Sequence, residues 1–172
     1  CYKEDLSSPA QGLRMRFATA AKAIELILDE SPGLPKYTVV FFGGEPLSNM
    51  ALIREVVAFS GRRFAEAGAT VDFTLTTNAT LLTADIIDWL DAHRVGITVS
   101  MDGPPAVHDR NRRTFGGQGT YDVVRRKVDV LLARYRSRPV GCRVTLTRGI
   151  TGVVPIFEHL HNEVGFAEVG FG

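Results

Sequence analysis

Three short motifs hold the polar residues most able to do chemistry: Gly43-Gly-Glu-Pro46, Thr76-Thr-Asn78 and Ser100-Met-Asp-Gly103. Each follows an apolar or β-branched run: Tyr37 to Phe42, Val71 to Thr76 and Val95 to Ser100. A polar motif just past a buried strand is where open α/β sheets and (β/α) barrels place their sites. Gly43 and Gly44 let backbone approach a ligand closely, and Pro46 stiffens the turn. Glu45 then offers a carboxylate suited to a ligand with an amino group. A Gly-Gly turn alone ends a strand as readily as it holds a ligand, so the context has to decide. Asp102 is a candidate general base, although an Asp before Gly-Pro more often bonds its own backbone in a turn. Arg143, in a later strand-like stretch, could hold a carboxylate with its guanidinium fork or pair with an acid on a helix.

Other candidates carry less. His93 falls at a helix end and reads as exposed or capping. His159 and His161 stand two apart on a predicted helix, point to different sides, and make poor joint metal ligands. Cys142 lies in an apolar stretch and reads as an inert buried thiol. Two cysteines in 172 residues do not make a disulfide framework.

The elements that must position these residues alternate. Helices are predicted over Phe17–Glu30, Met50–Ala67, Ala84–His93, Thr120 to about Tyr135, and Val153–Val164. Strands are predicted over Tyr37–Phe42, Val71–Thr76, Val95–Ser100, Pro139–Thr147 and Phe166–Phe171. Six apolar or β-branched residues in the first strand predict burial on both faces. Thr83 reads as an N-cap. The third strand runs into Met101-Asp-Gly-Pro-Pro105, and a long loop rich in charge and glycine follows, through Arg110, Arg113 and Gly116-Gly-Gln-Gly119. Such alternation means parallel βαβ units. An open doubly wound sheet and part of a (β/α) barrel both fit. No GxGxxG follows the first strand, and polar residues recur at strand ends, which favours the barrel.

Composition bounds the rest. The chain is 45% hydrophobic and 23% charged, ordinary for a globular domain with a real core. No apolar run approaches the ~20 residues needed to span a bilayer, and no signal peptide is visible, so no membrane partner and a cytoplasmic location are expected. A net charge of +1 gives no case for nucleic acid. The charge is uneven: nine Lys/Arg face three acids between Ala106 and Arg138. That run reads as a solvated helix face or, alternatively, as a docking face for an acidic partner.

The three motifs in this order, after an N-terminal Cys1-Tyr2, resemble the radical S-adenosylmethionine (radical SAM) enzymes, in the branch with SPASM-type extensions that modifies peptides and proteins. Ser100-Met-Asp-Gly-Pro104, with His108-Asp109 and Arg112, matches the family's S-x-D-G-P…H-D-x-x-R pattern. Ala79 stands where the family often has glycine. The resemblance covers nearly the whole chain. It implies an α/β fold, a partial (β/α)6 TIM-like barrel of parallel strands truncated at both ends. The first strand and two cluster cysteines would lie upstream, and the SPASM-type region downstream. It also implies a 4Fe–4S cluster with Cys1 as one ligand. S-adenosyl-L-methionine would be held by Gly43, Gly44, Glu45, Pro46, Thr77, Asn78, Ser100, Asp102, Arg112 and Arg143.

The activity implied is reductive cleavage of S-adenosylmethionine to a 5′-deoxyadenosyl radical. That radical takes hydrogen from a peptide or protein substrate, and a flavodoxin- or ferredoxin-type donor supplies the electron. Within the branch, Cys1-Tyr-Lys-Glu-Asp-Leu6, Gln118-Gly-Thr-Tyr121 and Gly165-Phe-Ala-Glu-Val-Gly170 resemble the maturases of quinohemoprotein amine dehydrogenase, which form thioether cross-links. A sulfatase-maturing or other peptide-modifying relative is the alternative. Two readings of other classes remain: a non-catalytic barrel that binds a partner through its basic face, and a metal-free (β/α) enzyme using Glu45 and Asp102 as an acid–base pair.

Overall fold

The computed structural model describes residues 14–149 and 152–172. The elements run α1 (Phe17–Glu30), β1 (Lys36–Phe41), a 3₁₀ turn (Pro46–Asn49), α2 (Met50–Glu66), β2 (Thr70–Thr77), α3 (Ala84–Ala92) and β3 (Gly96–Ser100). Then come α4 (Pro105–Asn111), α5 (Tyr121–Arg134), β4 (Gly141–Val144), α6 (Val153–Glu158), a π-helical continuation (His159–Val164) and β5 (Glu168–Phe171). The sheet order is β1-β2-β3-β4-β5, and the registered pairs are parallel. This is the α/β alternation of a partial TIM-like barrel. Among the described residues no helix is long and apolar enough to cross a membrane.

The chain divides at Leu75/Thr76 into two compact units. In the first, α1 buries Ala20 and Ile24, and α2 buries Ile53, Val56, Val57, Ser60 and Phe64. Those spacings of three and four put one stripe of each helix inward. Ile24, Tyr37, Phe64 and Ala69 form the core, with Tyr37 stacked on Phe64 at 4.5 Å between ring centroids. Arg63 ties the two helices together with a fork on Glu25, Nε to Oε1 at 2.7 Å and Nη2 to Oε2 at 2.8 Å.

Strand β1 corrects one expectation. Tyr37 is buried, but Thr38 is exposed, and Val40 and Phe42 are 59% and 69% exposed. Only the face bearing Tyr37 and Val39 packs on the helical core, so the run is apolar by composition and two-faced by environment. β2 continues this division. Register pairs Tyr37, Val39 and Phe41 with Val71, Phe73 and Leu75, and sets Thr38 and Val40 beside Asp72 and Thr74.

In the second unit, Thr83 caps α3 by accepting from the Ile86 amide at 3.3 Å. α3 buries Ile87 and Leu90, and α5 buries Tyr121, Val124, Val128 and Leu131. Tyr135 closes α5 by donating its hydroxyl to the Val95 carbonyl at 2.7 Å. β3 and β4 are two-faced as well. Ile97 and Val99 share a face with Cys142 and Val144, all buried, while Thr98 and Ser100 stand beside Gly141 and Arg143.

The predicted charged loop is a second correction, because Pro105–Asn111 is helical. Pro104 and Pro105 open it, a position where a missing amide costs nothing. The apolar stripe that marks the longer helices is missing here: His108 is the only buried residue of α4.

Candidate functional site

Each unit contributes its own strand-end motif. In the first, the chain leaves β1 through Gly43, whose φ of 157° disfavours a side chain, and nothing lies within 4 Å of where a Cβ on Gly43 or Gly44 would stand. Glu45 opens the 3₁₀ turn with Pro46 in its first residues. Its Oε1 accepts from the Leu47 amide at 3.1 Å, and its carbonyl accepts from Ser48 Oγ at 2.7 Å. The turn is therefore a rigid, acceptor-rich loop with bare backbone at its approach.

In the second unit, β2 ends in a turn built by its own side chains. Thr77 Oγ1 accepts from the Ala79 amide at 3.0 Å, and Asn78 Oδ1 accepts from the Thr80 amide and hydroxyl at 3.0 and 2.7 Å. Ala79 sits at φ 64°, fully buried. The left-handed backbone that glycine supplies elsewhere is thus adopted here by an alanine, held by Thr77.

Ser100 and Arg143 occupy one rung of the β3–β4 ladder and so share a face. On the next strand the same rung is Gly170. A Cβ on Gly170 would come 3.4 Å from Arg143 Nη1, and one on Gly172 would come 2.2 Å from Nη2. The guanidinium therefore lies along the bare backbone of β5. Among the described residues it has no hydrogen-bond or ion-pair partner. A hydroxyl beside an uncommitted guanidinium fork suits a carboxylate.

Just beyond that rung Asp102 is buried and fully engaged. Arg112 grips it with Nε to Oδ2 at 2.7 Å and Nη2 to Oδ1 at 2.9 Å, and the Thr145 amide donates to Oδ1 at 2.9 Å. Both oxygens serve to hold the ends of β3 and β4, an occupation that leaves no lone carboxylate to abstract a proton. Gly103 follows at φ 132°, where a Cβ would stand 3.1 Å from Ile156 of α6. Sequence reasoning named Asp102 and Arg112 as separate ligands; the structure joins them. It also brings in His108 and Thr120, whose partnership no local spacing reveals.

His108 is fully buried. Its Nδ1 accepts from the Asp102 amide at 3.3 Å, so the ring proton sits on Nε2, which lies 3.0 Å from Thr120 Oγ1. Burial, aided by the Arg112 charge, lowers its pKa to about 4. Cys142 donates its thiol to the Met101 carbonyl at 3.3 Å, and burial pushes its pKa up to about 12, the inert behaviour expected of it.

The remaining candidates resolve simply. His93 stacks on Trp89 and meets the Trp89 carbonyl at 2.8 Å. His159 bonds Tyr121 and Glu163, while His161 bonds the Phe166 carbonyl. Among the described residues no cluster of His, Cys, Asp and Glu could hold a metal ion, and Cys1 lies outside them. The basic run between Ala106 and Arg138 is largely spent internally. Arg125 pairs with Asp129, Arg134 with Asp88, and Lys127, Arg110 and Arg136 cap backbone carbonyls. That is the solvated-face reading rather than a free docking charge.

No family model matches the chain. Its curated relatives include the serine-type anaerobic sulfatase-maturating enzyme of Klebsiella aerogenes, 27% identical over 133 residues, which cover 76% of this chain and 32% of the relative. The cysteine-type anaerobic sulfatase-maturating enzyme of Clostridium perfringens is 26% identical over 123 residues, covering 71% and 32%. The radical SAM cyclopropyl synthase TigE of Paramaledivibacter caminithermalis is 31% identical over 87 residues, covering 51% and 17%. The chain thus spans about a third or less of these relatives' length. Among solved structures, native anSMEcpe with bound AdoMet superposes at a TM-score of 0.83 with 22% identity, over 99% of this chain and 46% of that one. The form with AdoMet and Kp18Cys peptide gives 0.79 and 21%, over 91% and 42%. The fold is therefore shared with these proteins.

Proposed function

We propose that this chain is the core of a radical SAM enzyme that binds S-adenosyl-L-methionine beside a 4Fe–4S cluster and modifies a peptide or protein. The observation that carries it is the rung of Ser100 and Arg143, a hydroxyl and an uncommitted guanidinium side by side at the carboxyl end of parallel strands. Ser100 and Arg143 would take the cofactor's carboxylate. Glu45, on the bare-backbone turn of Gly43, Gly44 and Pro46, would take its ammonium. Thr77 and Asn78 hold the turn after β2, and Asp102 and Arg112 hold the strand ends that carry Ser100 and Arg143. Cys1 would be one cluster ligand. When bound and reduced, the pair supplies a 5′-deoxyadenosyl radical that takes hydrogen from the substrate.

Supporting this reading are relatives whose names describe sulfatase-maturating enzymes and a radical SAM cyclopropyl synthase, and a shared fold with a protein solved with AdoMet and peptide. The whole protein would carry further cysteines and a SPASM-type region outside this chain, act in the cytoplasm, and receive electrons from a flavodoxin- or ferredoxin-type donor. On the Cys1–Leu6, Gln118–Tyr121 and Gly165–Gly170 resemblances, the bond formed is a thioether cross-link, as in quinohemoprotein amine dehydrogenase maturation. The sulfatase-maturing reading is kept as the second, because the relatives' names favour it.

The test uses the whole protein, reconstituted anaerobically with iron and sulfide, reduced, and given S-adenosylmethionine. Formation of 5′-deoxyadenosine, lost in Cys1→Ala, is the expected result. No cluster and no product in the parent would sink the proposal. Peptides then separate the two substrates: a cysteine peptide that loses two hydrogens and its free thiol but keeps its sulfur supports cross-linking, and modification of a sulfatase peptide alone supports the second reading.

A further inference from the structure

The β3–β4 ladder loses regular pairing just after Ser100 and Arg143, where a site needs its strand ends held. One more backbone bond forms, Met101 amide to Arg143 carbonyl at 3.2 Å. Beyond it, the Asp102 carboxylate replaces the missing backbone partner by accepting from the Thr145 amide. α4 then fastens the segment after β4. Arg112 Nη2 reaches Thr145 Oγ1 at 3.4 Å, Asn111 Nδ2 donates to Thr147 Oγ1 at 2.8 Å, and Arg110 Nη2 donates to the Arg148 carbonyl at 3.1 Å. Three successive residues can reach one segment because Arg112 has left the helix, at φ −106° and ψ 87°.

A second set of bonds fixes the clamp from behind. The Asp102 amide can only donate, so His108 Nδ1 accepts and Nε2–H donates to Thr120 Oγ1. The Thr120 hydroxyl then donates to the Arg112 carbonyl at 2.8 Å, and Arg112 returns to Asp102. The loop Asp102–His108–Thr120–Arg112–Asp102 closes with every donor and acceptor matched. It does so only with a neutral imidazole, since a doubly protonated ring would set a proton against the Asp102 amide.

We propose that His108 and Thr120 are positioning residues: a buried neutral-imidazole relay that holds the Asp102–Arg112 clamp and thereby keeps Ser100 and Arg143 in the spacing that receives a carboxylate. The inference rests on the proposed reading of that rung as the S-adenosylmethionine carboxylate site. Neither residue touches the ligand; they act through Asp102 and Arg112.

The test compares Thr120→Val, which removes the hydroxyl at nearly constant shape, with Thr120→Ser, which keeps it, in the whole protein. Nitrogen-15 spectra of histidine side chains should show His108 protonated at Nε2 only, in the parent and in Thr120→Ser. Thr120→Val should keep that tautomer, which the Asp102 amide sets, but shift the Nε2 resonance as its acceptor is lost, and weaken S-adenosylmethionine binding about fivefold, the effect of about one hydrogen bond, while the rate at saturation changes less than twofold. Binding in Thr120→Val equal to the parent, or an equal loss in both variants, overturns the proposal. Thr120→Ala, which removes the same hydroxyl without adding a branch, serves if Thr120→Val does not fold; unchanged binding there overturns it too. Arg143→Ala separates this from the reading beneath it. If Arg143→Ala binds as the parent does, the carboxylate site is elsewhere. The relay then stands or falls on whether Thr120→Val shifts the amide resonances of Ser100 and Arg143.

Discussion

Asp102 and Arg112 meet as a bidentate pair, with the carboxylate 1% exposed and the guanidinium 17% exposed. Ten residues apart in sequence, they enclose α4 between them and draw its C-terminus onto the end of β3. Removing one partner of a buried pair leaves the other charge uncompensated, a loss of about 3 kcal/mol or more. Asp102→Ala is therefore expected to lose about 3 kcal/mol in urea unfolding, and Arg112→Ala a similar amount. Because each variant removes the same contact, the double variant should be far less unstable than the two losses added. Additive losses would mean that the pair is not coupled.

His108 predicts the direction of a pH dependence. Its folded pKa, about 4, lies below its ordinary value of 6.5 because the ring is buried. As pH falls through 6.5 the unfolded chain takes up the proton first. Stability is thus unaffected above about 6.5, declines between 6.5 and 4, and levels off below. The full loss is about 3 kcal/mol at most. His108→Asn should lack this component, so the parent and variant curves should converge as pH is lowered from 7 to 4.5. Parallel curves would show that His108 takes its proton at its ordinary value.

Ala79 tests the turn after β2. Its φ of 64° costs about 1–2 kcal/mol for a residue with a Cβ, yet its methyl is fully buried, a gain of about 0.8 kcal/mol. Glycine would relieve the strain but lose the buried methyl and gain freedom in the unfolded chain. Ala79→Gly is expected within about 1 kcal/mol of the parent by thermal unfolding. Ala79→Val adds a β-branched side chain to both the strained backbone and the closed pocket, and should lose about 3 kcal/mol. A Val variant as stable as the parent would mean that the turn relaxes out of the left-handed region.

Much of this was legible in the sequence because periodicity and punctuation acted together. The stripes of α1, α2 and α5, the Thr83 cap and the strand-end motifs are all local signals. Two departures from the expected structure have local causes too. Tyr37 to Phe42 is apolar on both faces, but the helices cover only the face of Tyr37 and Val39, so composition overstated burial. α4 has no apolar stripe to announce it: its fixed points are polar contacts to Thr145, Thr147 and Arg148, and the charged, glycine-rich run after Pro105 has the composition of a loop. The relay through His108 and Thr120 was beyond reach, since twelve residues and a loop separate two side chains whose meeting depends on the tertiary fold. Ser100 and Arg143 were each legible as donors; their shared rung needed the register.

Arg143 separates holding from binding. Its guanidinium lies on the bare backbone of Gly170 and Gly172 and has no partner among the described residues. An exposed, unpaired strand arginine contributes little to folding, so Arg143→Ala should stay within about 0.5 kcal/mol of the parent in urea. The same change removes a charge-assisted, forked contact to the proposed carboxylate, worth about 1.5–3 kcal/mol. Affinity for S-adenosylmethionine in the reconstituted protein should therefore fall about tenfold to a hundredfold. Arg143→Lys should recover only part of it, because an ammonium keeps the charge but not the fork. Asp102→Ala is the opposite control: it should lose stability first, and binding only through the displaced strand end. If Arg143→Ala instead unfolds the protein and leaves affinity intact in the folded fraction, the guanidinium is a structural group and the carboxylate must be held elsewhere.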